Sequence, residues 1–489
     1  MAPRLVFIGA GSIGFTQKLV GDLLAVPELR NADLVFMDID PVNLERVERL
    51  VRRDIESNGL DGAILSATTD RRQALKDADY VFSTVRIGGL KAFETDIDIP
   101  VTYGVDQCVG DTLSAGGIMY GQRNIPFILD LCRDIRELAK PDCLFLNYAN
   151  PMAMNVWAAH HVGGVRVVGL CHGVQHGHQQ IAKALGVEFA DLQIVCAGIN
   201  HQTWYVKLVH NGEDHTGRLL EAFERSTMSE SEKVRLDMLR RFGYYSTESN
   251  GHLSEYLPWY RKNDDRIHEW IADSSWSGGE TGGYLRVCQE WRHYFDKEYE
   301  SWLKRKPLVY STENRSLEHG SFIVESLETG RSYRGHFNMA NRGCITNLPD
   351  DAIVEAPGLV DATGIRLLGV GDLPLGPAAV CNASISVQRL SVEAAVNGDD
   401  QLLRQAMMMD PLVGAVCTPP EIWQMVDEML VAQEKWLPQY GAAIAEAKKR
   451  LAAGRVIPTK ETNGAARKRV RSAEEMAEVE ARRNRPDEG

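Results

Sequence analysis

The stretch FIGAGSIGF, residues 7–15, decides the fold class of this 489-residue chain. It places Gly9, Gly11 and Gly14 in G-x-G-x-x-G spacing, directly after an apolar run and at the start of a helical pattern. In such a turn the first glycine permits a tight bend, the second lets the backbone approach a pyrophosphate, and the third allows close helix packing. The stretch therefore predicts a nucleotide-binding turn; a glycine turn without a nucleotide is the alternative.

An acidic residue supports this prediction and indicates which dinucleotide would bind. Asp38 closes the second predicted strand, 24 residues after Gly14, where a carboxylate can accept hydrogen bonds from both ribose hydroxyls. This arrangement favours NAD over NADP. The VRIGG stretch at residues 85–89 follows the fourth predicted strand, and its glycines would let the backbone run close to the cofactor, although a plain loop turn explains them nearly as well. The predicted NAD-binding residues are Gly9, Gly11, Ser12, Ile13, Gly14, Asp38, Arg86 and Gly88.

Short β runs alternate with helical patterns from the N-terminus to about residue 173. This alternation is typical of βαβ units, so we expect an α/β protein whose N-terminal region is a Rossmann-type doubly wound parallel sheet, as in lactate and malate dehydrogenases. Mixed strand and helix patterns follow. We therefore predict an NAD-binding domain over residues 1–195, an α+β substrate and metal domain over residues 196–452, and a charged C-terminal tail over residues 453–489.

The composition is that of a globular enzyme: 44% of the residues are hydrophobic, 25% are charged, and the formal net charge is -13. The one basic cluster, at residues 466–471, is too small to indicate a nucleic-acid surface. No run approaches the roughly 18 apolar residues of a membrane span. The nine cysteines are scattered without CxxC spacing, which indicates reduced thiols. We expect a cytoplasmic homodimer or homotetramer that acts on a small molecule, with no nucleic-acid or membrane partner.

One cysteine and three histidines cluster in VVGLCHGVQHGH, residues 167–178, at the end of another apolar run. The strand should end near residue 170, which would place Cys171 and His172 at the sheet edge where the reactive ring of a cofactor lies. His201 follows a further apolar run, in GINH. A thiolate and an imidazole make half of a site for a borderline divalent ion. A buried cysteine with a core histidine is the commoner arrangement, so both interpretations stay open on these residues alone.

Two further motifs combine polar and aromatic residues. NYANPM, residues 147–152, has Asn150 before a proline at a strand end, where it would either contact a ligand or cap a helix. TESNGHLSEYLPWY, residues 247–260, offers His252 and Tyr256 for proton chemistry, or an aromatic loop that packs between the two lobes.

These motifs occur in the order found in one enzyme family. FIGAGSIGF, MDID, VRIGG, NYANPM, CHGV, GINH, ESNGHLSEYLPWY and TNLP resemble motifs of the NAD- and manganese-dependent glycosidases, glycoside hydrolase family 4, from residue 4 to about residue 440. This family is an exception to glycoside hydrolysis by a pair of carboxylates. The resemblance is greatest to the bacterial melibiase-type α-galactosidases. It implies NAD and Mn²⁺, or another divalent ion, as cofactors.

The resemblance also implies a role for five of the residues. Cys171 and His201 would hold the divalent ion. His172 would be the acid beside the leaving oxygen and Tyr256 the base, while Asn150 would contact the sugar hydroxyls. The implied reaction on an α-galactoside is oxidation at C3, proton removal from C2, elimination, water addition and re-reduction.

Other functions fit parts of the sequence. Melibiase-type enzymes read CHSV where this chain reads CHGV, and CHGV resembles the motif of α-glucuronidases in the same family. An α-glucuronidase would need a cation at the uronate carboxylate, for which Arg286 and Arg342 are the candidates. A malate- or lactate-type dehydrogenase would share the nucleotide turn but would not explain Cys171 together with His201. A non-enzymatic NAD sensor is a third alternative.

Overall fold

The computed structural model describes residues 2–12, 14–271, 276–454, 457–462 and 468–483. Ile13, one of the predicted NAD-binding residues, lies outside the described residues. The strands in chain order are β1 (Arg4–Ile8), β2 (Asp33–Met37), β3 (Ile64–Thr68), β4 (Tyr80–Ser83), β5 (Leu144–Asn147), β6 (Arg166–Gly169), β7 (Gln193–Ile199), β8 (Gln202–His210), β9 (Glu213–Asp214), β10 (Tyr245–Ser246), β11 (Tyr333–Ala340), β12 (Ile353–Asp361) and β13 (Gly364–Leu367).

The α-helices in chain order are α1 (Phe15–Leu24), α2 (Pro41–Ser57), α3 (Arg71–Leu75), α4 (Gly89–Thr102), α5 (Ser114–Leu138), α6 (Met152–Trp157), α7 (Gly173–Leu185), α8 (Leu219–Glu224), α9 (Lys233–Phe242), α10 (Asn250–Ser254), α11 (Asp264–Trp270), α12 (Gly283–Leu303), α13 (His319–Thr329), α14 (Leu375–Asn397), α15 (Asp400–Met409), α16 (Pro411–Val416), α17 (Pro419–Ala432), α18 (Gly441–Ala452) and α19 (Ala473–Arg483). Within the described ranges, no helix is long and apolar enough to cross a membrane.

Six parallel strands form the N-terminal half of the sheet, in the order β3-β2-β1-β4-β5-β6. This is the strand order of a Rossmann fold, whose ligand crevice lies where the order reverses, between β1 and β4. The central strands are buried on both faces, as parallel strands covered by helices must be: Leu5 and Val6 of β1 and Leu34 of β2 have no exposed surface. The predicted fold class is therefore confirmed.

The glycine turn joins β1 to α1, as the sequence predicts. Gly9 has a φ of 87°, and its N–H donates to the carbonyl oxygen of Met37 at 2.9 Å, which ties the turn to the end of β2. Gly14 has a φ of 77° and is the N-cap residue of α1, so it offers no side chain to cap the helix. The first N–H groups of α1 are therefore available to an anion at this edge of the sheet.

The later strands extend the same sheet in antiparallel fashion. β11 pairs with β6, β12 pairs with β11, β7 with β12, and β8 with β7, while β10 pairs with β8. The α+β region predicted after residue 195 thus shares its sheet with the nucleotide-binding region, and β7 spans the predicted boundary. The division of the chain into separate domains stays a prediction.

A row of paired residues, which we call the four-strand row, crosses the sheet where its two halves meet. Gly169 of β6 pairs with Asn338 of β11. Asn338 pairs in turn with Glu355 of β12, which pairs with Gly198 of β7. A Cβ at Gly169 would lie 2.9 Å from the Cβ of Asn338, so a side chain there would force the strands apart. The row therefore fixes the positions of the residues after β6 and after β7 relative to one another.

The C-terminal segment is tied to helix α12. The buried carboxylate of Glu290 accepts a hydrogen bond from Nη2 of Arg471 at 2.7 Å and another from Nη1 of Arg286 at 3.0 Å. Just before α12, the N–H of Gly282 donates to the carbonyl oxygen of Gln107 at 2.8 Å. Arg471 of the predicted tail is therefore hydrogen-bonded to helix α12. The residue just before this helix is in turn hydrogen-bonded to the loop that contains Gln107.

We expect Arg471→Ala to lower the free energy of unfolding by about 1–2 kcal/mol, because it removes charge-assisted hydrogen bonds from a buried carboxylate. Arg469→Ala is the matched control. Its partner, Glu475, is 40% exposed, so the loss of that ion pair should leave the free energy of unfolding almost unchanged. Urea denaturation followed by circular dichroism measures both effects. Equal effects of the two substitutions would contradict the stabilisation of the fold by the hydrogen bonds of Arg471 to Glu290.

Candidate active site

Three side chains with metal-ligating atoms converge near the ends of β6, β7 and β10. The donor atoms of Cys171, His201 and Glu248 all lie within 4.8 Å of one another. Cys171 follows β6, Glu248 follows β10, and His201 occupies the turn between β7 and β8 with a φ of 64°. The structure thus brings together the two residues predicted as metal ligands and adds a carboxylate.

This donor set fits a divalent ion. Oε1 of Glu248 is buried and has no hydrogen-bond partner among the described residues, as expected for an oxygen whose partner is a cation. A thiolate, an imidazole and a carboxylate together suit a borderline divalent metal. Burial, with the carboxylates of Glu355 and Glu248, raises the pKa of the Cys171 thiol well above its usual value, so its deprotonation needs a nearby cation. Burial also lowers the pKa of His201 to about 4, which keeps the imidazole in the neutral form that binds metals.

Glu248 lies within the stretch TESNGHLSEYLPWY but was not among the site residues predicted from the sequence. Its one signal is its spacing of four residues from His252, which in turn precedes Tyr256 by four. The structure uses both spacings: Oε2 of Glu248 lies 3.5 Å from Nδ1 of His252, and the Tyr256 hydroxyl contacts Nε2 of the same ring.

A second group of buried side chains, which we call the His252 cluster, adjoins the metal ligands. Potential ligand atoms of Asp111, His201 and His252 lie within 4.8 Å of one another. Oδ2 of Asp111 accepts a hydrogen bond from Nδ2 of Asn150 at 2.8 Å, and Oγ1 of Thr112 lies 2.9 Å from Nδ1 of His201. Asn150, predicted to contact the sugar, therefore lies in this cluster. Asp111 and Thr112 come from a loop without a spacing pattern, so sequence reasoning missed them.

Tyr256, the predicted base, belongs to the same cluster. The residue is 1% exposed, and its hydroxyl lies 3.4 Å from Nδ1 of His201 as well as in contact with His252. Burial, followed by the negative charge of Asp111, raises the pKa of Tyr256 well above its usual value. A cation close to the phenol oxygen is therefore required before this tyrosine can act as a base.

His172, the predicted acid, lies at the edge of the site. It is the residue before α7, and its side chain is 52% exposed. Nδ1 of His172 lies 3.5 Å from Oε1 of Glu318. Burial lowers the pKa of His172, but the hydrogen bond and charge of Glu318 outweigh it and raise the pKa, which favours the protonated imidazole. Glu318 was not identified from the sequence.

The turn after β1 fits a dinucleotide. The N–H of Gly11 donates to Oδ2 of Asp38 at 2.8 Å, and a Cβ at Gly11 would come within 2.8 Å of the same oxygen, so glycine is needed for this close approach. Ser12 is half-buried in the turn. No described atom lies within 4 Å of the Cβ position of Gly14, which leaves open space in front of α1.

Arg86 and Gly88, also predicted to bind NAD, follow β4, and Gly88 has a φ of 87°. The Arg86 guanidinium lies between the rings of Phe93 and Tyr120, 4.1 and 4.3 Å from their centroids. Its Nη2 is 3.8 Å from Oδ2 of Asp111, and its Nη1 is buried without a hydrogen-bond partner among the described residues. Arg86 therefore borders the His252 cluster.

The two arginines considered for a uronate carboxylate lie elsewhere. Arg286 binds the carboxylates of Glu280 and Glu290. Arg342 is exposed, with Nη2 3.2 Å from Nε2 of His160. Neither has a described contact with the metal ligands or the His252 cluster, so the α-glucuronidase alternative loses both of its candidate cations.

Comparisons with known proteins agree with this geometry. The model of the family 4 glycosyl hydrolases matches residues 4–187, and the model of the C-terminal domain of that family matches residues 196–413. An alpha-galactosidase of Rhizobium meliloti (strain 1021) is 57% identical over 481 residues, which cover 98% of each chain. An alpha-galactosidase of Bacillus subtilis (strain 168) is 33% identical and covers 89% of this chain and 99% of its own.

A solved structure shares the fold. The 6-phospho-beta glucosidase of Thermotoga maritima, crystallised with manganese, NAD+ and glucose-6-phosphate, superposes with a TM-score of 0.72 at 22% identity. The match covers 88% of this chain and 99% of that protein.

Fold and site together define an α/β enzyme with a dinucleotide turn and a buried cluster of metal-ligating side chains. The family models and the 57% identity make the assignment more specific: the chain belongs to family 4 of the glycosyl hydrolases. The predicted family and enzyme class are confirmed. The dehydrogenase and the NAD sensor are not supported.

In the metal-free protein we expect His252 to stay protonated well above neutral pH. Burial opposes its charge, but hydrogen bonds to Asp111 and Glu248 raise the pKa of His252 to about 10. Its contribution to stability is fully present below the unfolded-state pKa of about 6.5 and is lost as the pH rises through the folded-state value. Asp111→Asn should lower the pKa of His252 and weaken that contribution.

NMR titration of the imidazole resonances, in chelator-treated protein, measures the pKa in both forms. A wild-type His252 that titrates near pH 6.5, or a pKa that Asp111→Asn leaves unchanged, would show that the carboxylates do not act on this ring.

Proposed function

We propose that this chain is an α-galactosidase that requires NAD and a divalent ion, Mn²⁺ or a similar metal, and that cleaves its substrate by elimination. The observation that carries the proposal is the partly buried group of Cys171, His201 and Glu248, with the Tyr256 hydroxyl beside it, in a chain with a dinucleotide turn. Glycoside hydrolysis by two carboxylates needs neither a thiolate nor a nucleotide. The galactoside is inferred from the alpha-galactosidase of R. meliloti at 57% identity.

A bound NAD would supply a hydride acceptor for C3 of the sugar, and a divalent ion would supply a Lewis acid for the oxygen at that carbon. Cys171, His201 and Glu248 would hold the ion. The Asn150 amide, which Asp111 orients, would bind the sugar hydroxyls. The residues that would hold NAD are Gly9, Gly11, Ser12, Ile13, Gly14, Asp38, Arg86 and Gly88.

Tyr256 and His172 would then carry the proton transfers. A ketone at C3 acidifies the hydrogen on C2, because the charge that develops at C2 is delocalised onto the C3 oxygen. Tyr256 takes this proton as the C2–H electron pair forms a C1–C2 double bond and the C1–O bond to the leaving group breaks. His172 protonates the departing oxygen. Water adds across the double bond, and C3 is reduced again, so there is no net oxidation.

The surroundings of both residues suit these roles. A protonated His252, in contact with the Tyr256 hydroxyl, favours the phenolate form of Tyr256. This is the form that can accept the proton from C2. Glu318 raises the pKa of His172 and lies beside Nδ1, which leaves Nε2 for the leaving oxygen. Side-chain exposure of 52% at His172 gives the leaving group access to this nitrogen.

We also propose that the protein acts in the cytoplasm as a homodimer or homotetramer, without a nucleic-acid or membrane partner. Composition and the absence of long apolar runs support the location and the partners, and light scattering of the purified protein tests the oligomeric state. The α-glucuronidase alternative is tested by comparing p-nitrophenyl α-galactoside with p-nitrophenyl α-glucuronide, in the presence of NAD, Mn²⁺ and a reductant.

Cys171→Ser should abolish hydrolysis of p-nitrophenyl α-galactoside, with a loss of at least a hundredfold, because a hydroxyl is a poor ligand where a thiolate is needed. Glu248→Gln and treatment with EDTA should have the same effect. Cys417→Ser, at a buried cysteine between α16 and α17, is the matched control and should keep its activity. Metal content by mass spectrometry should fall in the first two variants only. Full activity of Cys171→Ser in EDTA would rule out the metal site.

Hydrolysis in deuterated water should place deuterium at C2 of the released galactose, because Tyr256 removes the C2 hydrogen and solvent replaces it. Tyr256→Phe should remove most activity while NAD and metal binding persist, since it lacks the proton acceptor but keeps the ring. NMR of the product and equilibrium binding of NAD measure these outcomes. A product with only hydrogen at C2, formed without bound NAD, would contradict elimination.

A further inference from the structure

A large cavity opens where strands β6 and β11 separate. Within the described part of the chain these strands pair only at Gly169 and Asn338, whereas β11 pairs with β12 along its whole length. Residues 166–167 of β6 and 339–340 of β11 therefore diverge, and a cavity of about 740 Å³ lies between them. This volume is in the range of small-molecule sites.

The cavity is separate from the catalytic site. It lies at the amino end of β6, whereas Cys171 and His172 follow the carboxyl end of this strand. Arg166 and Cys171 are five residues apart, which is roughly 16 Å of extended chain. The residues that line the cavity include none of the metal ligands and none of the His252 cluster.

The lining combines an apolar wall with positive charge. Val156, Val167 and Leu367 belong to the wall. Arg166 and Arg342 also line the cavity, together with the imidazole of one histidine, and no lining residue is an aspartate or a glutamate. Arg166 lies 4.0 Å from the carboxylate of Asp142, which is outside the lining, and its Nη1 donates to the carbonyl oxygen of the same residue at 2.8 Å. A positive concave surface in a chain of net charge -13 selects for anions.

The backbone holds one of these arginines in a costly conformation. Arg342 has a φ of 45°, in the left-handed region that non-glycine residues rarely adopt, and Gly343 follows it with a φ of 79°. The side chain of Asn341 fixes the turn by donating to the carbonyl oxygens of Ile345 and Leu348 at 2.9 and 3.0 Å. The turn thus keeps the Arg342 guanidinium at the cavity, beside Nε2 of His160 at 3.2 Å.

We propose that this cavity is a second ligand site, which binds a small organic anion with an apolar body. The carboxylate, sulfonate or phosphate group of the ligand would pair with Arg342 and Arg166, and its hydrocarbon part would lie along the apolar wall. Apolar burial and a charge-assisted hydrogen bond then act together. Neither the apolar wall nor the two arginines of the cavity take part in the proposed glycosidase reaction.

Two fluorescent probes that differ only in charge test this proposal. 8-Anilinonaphthalene-1-sulfonate carries the anion, and N-phenyl-1-naphthylamine is its neutral counterpart. Titrations use the holoenzyme with saturating NAD and Mn²⁺, so that the catalytic site is filled. We expect one saturable site per chain for the sulfonate and at least tenfold weaker binding of the neutral probe.

Three variants separate charge from shape. Arg342→Asn introduces a residue that tolerates positive φ. It should weaken the binding of the sulfonate probe at least tenfold without changing the binding of the neutral probe. Ala340→Trp should fill the cavity and weaken both probes. Arg366→Gln is the matched control, because Arg366 lies between two lining residues of β13 without lining the cavity itself. Glycosidase activity and the unfolding temperature of all three should match the wild type.

The proposal fails if the sulfonate shows no saturable binding, if both probes bind equally, or if binding survives Arg342→Asn and Ala340→Trp unchanged. Each of these outcomes is independent of the glycosidase assay, so the failure of one proposal does not imply the failure of the other.

Discussion

The active site depends on the pairing of Gly169 with Asn338, which joins the parallel half of the sheet to the antiparallel half. Through this bridge the four-strand row continues to Glu355 and Gly198, and it sets the distance between the ends of β6 and β7. Cys171 comes two residues after one end of the row and His201 three residues after the other. A shift of either strand by one residue would move a ligand by about 3.3 Å, more than a metal–ligand bond tolerates. The proposed metal site is therefore a consequence of strand register.

The second constraint is electrostatic. Asp111, Glu248 and the Cys171 thiol lie in a buried space with few positive partners, and His252 is the partner of both carboxylates. Burial alone would favour their protonated forms. His252 and His201 reverse this preference for the two carboxylates and lower the pKa of Asp111 and of Glu248, whereas the pKa of the Cys171 thiol stays raised. A divalent ion would favour the thiolate as a ligand and lower the pKa of a neighbouring phenol. The same ion would thus complete the coordination group and prepare Tyr256, whose oxygen lies 3.4 Å from a ligand ring.

The sequence predicts the nucleotide-binding half well because its signals are local. The glycines around Gly11, the acid at Asp38 and the alternation of strand and helix all lie within short windows, and the observed strands match them. The single sheet was not predicted, because residue 169 and residue 338 carry no sign in the sequence that they will pair. For the same reason Asp111 was missed, and the residues alone left Cys171 and His201 open between a metal site and a core. The family resemblance, not the spacing, implied that Cys171 and His201 bind the same ion.

A site of this kind makes folding and ligand binding depend on each other. In the metal-free chain the Cys171 thiol and Oε1 of Glu248 offer ligand atoms that a bound ion would satisfy, so binding of the ion would stabilise the folded state. Oε1 of Glu248 and Oε1 of Glu355 have no hydrogen-bond partner among the described residues. The second oxygen of each carboxylate is held, because Oε2 of Glu248 lies 3.5 Å from Nδ1 of His252 and Oε2 of Glu355 accepts a hydrogen bond from Nδ2 of Asn200 at 3.0 Å. Because these contacts hold both carboxylates before an ion arrives, little reorganisation is needed on binding. The four-strand row and these contacts therefore pre-organise the ligand atoms for the ion that the proposed reaction requires.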